Sequence, residues 1–475
     1  MRRDRLVLPG LLLVAMVTGV IGSLGAPIIP EIAQAEDVPL RTAQWSLTAG
    51  LLVSAVATPV VGRVGAGRRR KPMILGILCI VAAGTLLSAL PLGIAALIAG
   101  RALQGTGVAL TPLAFAVARD ALPAERQRTA VAAISVSGVV SAGLGFPVTA
   151  ITADLAGVRG AFWLGLGLTL VALLVAVVTV PGSREVVTAR VDWVGAALLG
   201  GGTFLLLLSI SQADHWGYAS PATVGALGAA AVLLAVCIWW LRRTAHPLVD
   251  LSLATHPGVA GAHVAALLAG CAMYMVFALV MVMVQTPEGE GYGLDRSVAL
   301  AGLLMVPYAV ASVAGSRLAL RIGPAIGPDL LLPLGCLLYG AANVVFLLLP
   351  ASLGMVLAMM LVAGVGSGMT FNSIPWLMLR FVPAAETGSA MSLNLVMRFL
   401  GFCLGSALSL AALQGFADAA GHPTRLSYRM GAAWGVGLAL LAAIGCYLLA
   451  RAAARRARAD EAVPASAATG PELAV

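Results

Sequence analysis

Fourteen times along its 475 residues the chain holds an apolar run of about twenty residues. The runs fall near 7–30, 44–63, 72–92, 94–117, 129–152, 160–180, 192–211 and 221–241, and then near 258–284, 297–319, 329–349, 353–377, 386–414 and 430–451. A helix of that length matches the hydrocarbon core of a bilayer, about 30 Å thick. Lipid offers no hydrogen-bond partner to a bare backbone, so the runs must satisfy their own peptide groups as helices. A β-barrel would show short alternating segments, whereas these runs are continuous and rich in Leu, Ala and Val. Only 10% of residues are charged, against about a quarter in soluble domains. The 55 glycines fit close packing of membrane helices. The expected fold is an all-α, multi-pass integral membrane protein of about fourteen transmembrane helices.

The start, Met1-Arg2-Arg3-Asp4-Arg5 before an apolar run, looks like a secretion signal, and Ala33-Gln34-Ala35 mimics a cleavage site. The run reaches Pro30, however, which is too long for a signal core of about 7–15 residues. It reads as a retained first span.

Most of the 29 Lys and Arg residues lie in alternate loops: around Arg2–Arg5, Arg63–Lys71, Arg119–Arg128, Arg184 and Arg190, Arg242 and Arg243, Arg317 and Arg321, Arg380, and Arg451–Arg458. The opposite loops hold Arg41, Arg159, Arg296, Arg425 and Arg429. By the positive-inside rule both termini are cytoplasmic, with the chain in the plasma (inner) membrane. The net charge of +9 then reflects anchoring to an anionic leaflet of the lipid bilayer, and no nucleic-acid partner is expected. The six cysteines sit inside apolar runs without a CxxC pair, so neither a disulfide framework nor a metal site is expected. The sequence shows no phosphate loop and no nucleophile–base–acid set. It reads as a non-enzyme without a cofactor.

Four stretches carry a more specific message. Between the second and third runs lies Gly62-Arg63-Val64-Gly65-Ala66-Gly67-Arg68-Arg69-Arg70-Lys71. In the fourth run lies Arg101-Ala102-Leu103-Gln104-Gly105-Thr106-Gly107, and in the fifth Gly138, Gly143, Gly145 and Pro147. From the seventh run onward come Asp192-Trp193-Val194-Gly195, His246-Pro247-Leu248-Val249-Asp250-Leu251 and Gln285-Thr286-Pro287. Together these resemble the fourteen-span drug:proton antiporter branch of the major facilitator superfamily. Gly315-Ser316-Arg317-Leu318-Ala319-Leu320-Arg321-Ile322-Gly323 echoes the first loop, as a parallel repeat of that superfamily does. The chain departs from the pattern in three places. Ala66 stands where the family usually has Asp, the glycine-proline motif of the fifth run is broken, and Ile21 to Ala26 holds no aspartate.

The resemblance implies a six-helix bundle over 1–182, a two-helix insertion over 183–248 and a second six-helix bundle over 249–452; the small, polar, Pro-containing composition of the end predicts a disordered cytoplasmic tail over 453–475. It implies a secondary active transporter, with proton-coupled efflux of small hydrophobic or amphiphilic compounds favoured and protons as the coupling ion. A dedicated transporter of one metabolite, possibly anionic and not strictly an antiporter, is the alternative; a non-transporting membrane sensor ranks below both. A monomer is expected. The resemblance further implies a conformational motif of Gly62, Arg68, Arg69, Arg70, Gly105, Gly107, Gly143, Gly145 and Pro147.

Transport and coupling candidates are Arg101, Gln104, Glu31, Arg398 and Asn394. A cation at span depth is costly unless it faces a cavity or a partner, which singles out Arg101 and Arg398; Asn394 lies one turn from Arg398 on the same face. Two cations in a chamber poor in acids suit an anionic or zwitterionic ligand; bonding to helix carbonyls is the rival role. No carboxylate falls at mid-span: Glu31, Asp154 and Asp120 are near span ends, and Glu31 is the preferred acid because the first span lines the cavity in the family. His263 is the one histidine inside a run, with proton carriage and a structural hydrogen bond as its two readings. Met273, Met275, Met281 and Met283 suit either adaptable binding or ordinary packing.

Overall fold

The computed structural model describes residues 2–24, 28–182, 192–217, 219–245, 247–287, 292–348, 351–383, 386–418 and 422–462. Thirteen helices among them are long and apolar enough to cross a membrane, and the shorter apolar helix Leu6–Ile21 precedes them. In chain order the helices are α1 (Arg2–Ser23, whose apolar part is Leu6–Ile21), α2 (Thr42–Val64), α3 (Gly67–Ala89), α4 (Ile94–Ala121), α5 (Ala124–Thr149), α6 (Ile151–Thr179) and α7 (Trp193–Ile210). They continue as α8 (Pro221–Arg243), α9 (Pro257–Gln285), α10 (Leu300–Ile326), α11 (Asp329–Leu348), α12 (Leu353–Phe381), α13 (Thr387–Gly415) and α14 (Arg425–Arg456). Each apolar run of the sequence corresponds to one of these helices, and thirteen of the fourteen are long enough to cross.

Local chemistry sets the ends. The first backbone N–H groups of a helix lack internal partners, and a short polar side chain before the helix supplies one. Ser220 does this for α8, Ser297 for α10 and Ser352 for α12, each accepting from the N–H three residues on. Spans α5 and α6 follow one another with no loop between them; the kink in this run falls at Gly157, near the start of α6, whose φ of 71° lies in the left-handed region that favours glycine.

Two features differ from expectation at the chain's ends. The first helix stops at Ser23, short of Pro30, and a separate short helix, Ile29–Ala35, follows. At the other end the α14 helix continues to Ala462, past the expected tail boundary at 453. The remainder of that tail, and Arg184, Arg190 and His246, lie outside the described residues.

Helices α1–α6 pack on one another, as do α9–α14, and the two groups meet through α2 with α13, α4 with α13, and α5 with α10 and α12. The hairpin of α7 and α8 lies against α2 and α13. Its outer face is apolar and exposed, with Val224, Leu227, Val232, Val236 and Ile238 turned outward, as a lipid-facing helix requires. Asp192 secures the hairpin: its carboxylate caps α7 at Gly195 N (2.8 Å), accepts Trp240 Nε1–H from α8 (3.0 Å) and accepts Leu248 N–H (3.4 Å).

Candidate substrate cavity

Between the two groups of helices lies a cavity of about 390 Å³. Its two walls differ. The α1–α6 wall brings small and polar groups, among them Thr18, Ser54, Arg101 and Gln104. The α9–α14 wall is aromatic, with Tyr274, Phe277, Tyr308, Phe371, Phe399 and Phe402 lining it together with Arg398. Phe277 meets Tyr308 edge-on at 4.8 Å between centroids, and Phe399 meets Phe402 the same way at 5.9 Å. Among the described lining residues there is no carboxylate.

Arg101 sits in α4 with 4% of its surface exposed. Its Nη1 donates to Ile21 O (3.0 Å) and to Gln104 Oε1 (2.6 Å). The first acceptor lies in the last turn of α1, where the carbonyls of a helix run out of internal N–H partners. The second lies three residues on, on the same helix face. Gln104 in turn donates to Ser88 Oγ on α3 at 3.5 Å. The buried Nε of Arg101 has no partner among the described residues.

Arg398 comes from α13. Its guanidinium lies over the Phe371 ring of α12, 4.0 Å from the centroid, and its buried Nε also has no partner among the described residues. Asn394, one turn away and 2% exposed, lines the same cavity, while its amide donates to Ala262 O on α9 (2.8 Å) and meets His263 Nδ1 (3.5 Å). Immediately after His263 and Val264, α9 takes a wide π turn over Ala265–Ala269. Such turns recur where a span bends around a site.

Several sequence candidates stand elsewhere. Glu31 is exposed on Ile29–Ala35 and is not a lining residue; the early end of α1 moves it off the span it was assigned to. Asp154 is exposed near the start of α6, and Asp120 pairs with the buried Arg70 inside one helix group. His263 lines a small crevice beside Asp250 and Glu386 instead of the central cavity. Of the four methionines only Met273 lines the cavity, its sulfur accepting from Tyr308 and Tyr339 hydroxyls at 3.2 and 3.5 Å; Met275 and Met283 are buried.

The glycines work by proximity. A Cβ on Gly105 would strike Gly50 O of α2, and one on Gly143 would sit 2.8 Å from Ala309 Cβ of α10. Gly145 faces Ser23 and Val20 of α1, Gly107 faces Val81 of α3, and Pro147 is buried within α5.

One end of the cavity is clasped. Arg63, at the end of α2, is ion-paired with Glu386 just before α13. Arg119 of α4 donates to Val382 O (2.6 Å) and to Thr387 Oγ1 (2.7 Å), and Arg128 of α5 lies over Trp376 of α12 at 4.3 Å. Gly62 and Gly388 approach backbone to backbone: a Cβ on Gly388 would lie 2.8 Å from Gly62 O. Among the described residues, every hydrogen bond and ion pair joining the two helix groups lies at this end, where α2 and α12 finish. Arg68 and Arg69 are exposed, Lys71 donates to Val177 O (2.8 Å), and Arg70 is committed to Asp120; none of them crosses the seam. Glu386 and the aromatic wall were not singled out from sequence. Glu386 is a loop carboxylate with no motif around it, and the only advance signal of the wall is the clustering of Phe and Tyr in runs otherwise filled by small residues.

The sequence model described as Major Facilitator Superfamily matches residues 11–406. The chain belongs to that superfamily. Among its relatives is the uncharacterized MFS-type transporter YvkA of Bacillus subtilis, 25% identical over 416 residues, covering 86% of this chain and 90% of YvkA. The cephamycin export protein CmcT of Amycolatopsis lactamdurans is 28% identical over 407 residues, covering 84% of this chain and 82% of CmcT. The proton:xylose symporter XylE shares the fold at a TM-score of 0.64 with 16% identity, over 93% of this chain and 95% of XylE. The helices described above are thus those of a superfamily transporter, and the cavity occupies the seam between its two helix groups.

Proposed function

We propose that this transporter is a secondary active exporter that moves small hydrophobic or amphiphilic compounds out of the cell in exchange for protons. The observation that carries the reading is the cavity: a largely apolar chamber, at the seam of two helix groups, clasped at one end. A volume of about 390 Å³ suits a drug-sized molecule, and aromatic walls with a few polar groups suit an amphiphile. Rocking of 1–182 against 249–452 about the chamber is alternating access, with 183–248 carried alongside. The Lys and Arg pattern supports cytoplasmic termini in the plasma membrane, so the clasped form is the one sealed against the cytoplasm. The printed activity of CmcT, cephamycin export, supports export over uptake. The resemblance to the drug:proton antiporter branch supports protons as the driving ion.

The test is proton movement into sealed proteoliposomes carrying a pH dye, on addition of unrelated cationic, neutral and anionic compounds. Proton flux evoked by several of them, and abolished in Arg101→Gln, is the expected result. Silence across the panel with correctly inserted protein removes the reading, and flux with a single compound replaces it with a dedicated metabolite transporter.

A further inference from the structure

The cavity holds two guanidinium groups, one from each helix group, and no carboxylate among its described lining residues. A buried cation is normally compensated by a paired anion. Among the described residues the buried Arg70 is paired with Asp120 and the largely buried Arg63 with Glu386. Arg101 and Arg398 face the chamber, and no carboxylate is among its described lining residues.

Their surroundings give the shape of what fits. Phe371 covers one face of the Arg398 guanidinium, which leaves its planar edge as the hydrogen-bonding side. The two terminal nitrogens on that edge form a fork that receives a carboxylate in two parallel hydrogen bonds, while Nε is buried, as it is in Arg63, Arg70 and Arg101. Arg101 spends its Nη1 on Ile21 O and Gln104 Oε1. The same cavity is lined by the rings of Tyr274, Phe277 and Phe402, which offer an apolar body a flat surface.

We infer that the preferred cargo is an amphiphilic organic monoanion, a carboxylate on an apolar or aromatic body, with its carboxylate on Arg398 and its body against the aromatic wall. Arg101, from the opposite wall, adds a second cation that the anion draws toward itself as the halves close. A neutral compound of the same shape forgoes the charge-assisted hydrogen bonds, and a cation meets two like charges in a medium of low dielectric. The inference rests on the export reading only for the direction of movement; the binding preference stands on the cavity alone.

The experiment uses three probes with one aromatic body: 1-naphthylacetate, 1-naphthylacetamide and 1-naphthylethylamine. Binding to the purified full chain is measured by calorimetry, and movement by counter-flow in proteoliposomes. The expected result is at least tenfold tighter binding of the acetate than of the amide, no saturable binding of the amine, and loss of the preference in Arg398→Gln, with partial retention in Arg398→Lys. Equal or tighter binding of the amide or the amine by the wild type overturns the inference, as does absence of acetate binding; neither depends on a variant folding. Preference for the acetate retained in both Arg398→Gln and Arg101→Gln also overturns it. Acetate bound with the expected preference but not moved leaves the inference standing and removes the export reading. Amide or amine moved while acetate is not does the reverse.

Discussion

Arg63 at the end of α2 and Glu386 just before α13 form an ion pair across the seam between the two helix groups, at the end of the cavity where α2 and α12 finish. Alternating access requires contacts that exist in one state and not in the other, and the proposed function makes this pair one of them. Its neutralisation by Glu386→Gln shifts the resting population toward the form open at this end. The pair is partly exposed, so the effect is on the order of 1 kcal/mol, a roughly fivefold change in the ratio of states. A cysteine introduced by Met391→Cys, on the cavity wall, and labelled by an impermeant maleimide added from this side, reads the change as faster labelling.

Glycine substitutions separate gate from scaffold. Gly62 touches Gly388 and Ser392 only across the seam, so a side chain there opposes the clasped state and leaves each half intact. Gly105 abuts Gly50 within one half, where the crowding persists in every state. Gly62→Val is expected to raise maleimide labelling of Met391→Cys with little change in thermal stability. Gly105→Val is expected to cost about 1–3 kcal/mol and to lower the melting temperature in detergent. A similar fall in melting temperature for both would show that Gly62 is part of the scaffold.

These two glycines also mark how far the sequence could be read. Span number and placement were legible because a bilayer demands about twenty continuous apolar residues, and no tertiary context alters that demand. Arg101 and Arg398 were legible because a cation inside such a run is conspicuous. Glu386 was not: a carboxylate in a loop looks solvated until Arg63, more than 300 residues away, is brought against it. Glu31 was placed on the first span because its run continues to Pro30, yet the helix ends at Ser23 and turns that residue outward. The aromatic wall was invisible for a related reason. Tyr274, Tyr308, Phe371 and Phe402 come from four spans, and only the packing of α9, α10, α12 and α13 makes them one surface.

The Arg70–Asp120 pair carries stability and not switching, because both partners belong to the same helix group. Arg70 is buried, so Asp120→Asn leaves an uncompensated charge at a cost of about 3–5 kcal/mol. Arg70→Met combined with Asp120→Asn removes the charge as well and is expected to recover most of the loss. Thermal unfolding in detergent of the single and double variants tests this. A double variant no more stable than Asp120→Asn would mean that the arginine also matters through its contact with Ala116 O at 3.4 Å.

The insertion of α7 and α8 depends on one carboxylate. Asp192 accepts from Gly195 N, Trp240 Nε1 and Leu248 N, so it joins the start of α7, the end of α8 and the strand of chain that leads to α9. Leu248 is held in turn from α13, where Ser389 Oγ donates to its carbonyl at 2.8 Å. Asp192→Ala strands an indole N–H and two backbone N–H groups in a largely buried place, at about 1–3 kcal/mol for such a loss. The damage should stay local, because Asp192 touches no cavity residue. Trp240 fluorescence is expected to change in intensity and quencher access, and the melting temperature to fall, while ligand affinity in the central cavity is kept. Affinity that falls together with the Trp240 signal would instead show that the hairpin, through Leu248 and Ser389, sets the position of α13 and with it Arg398.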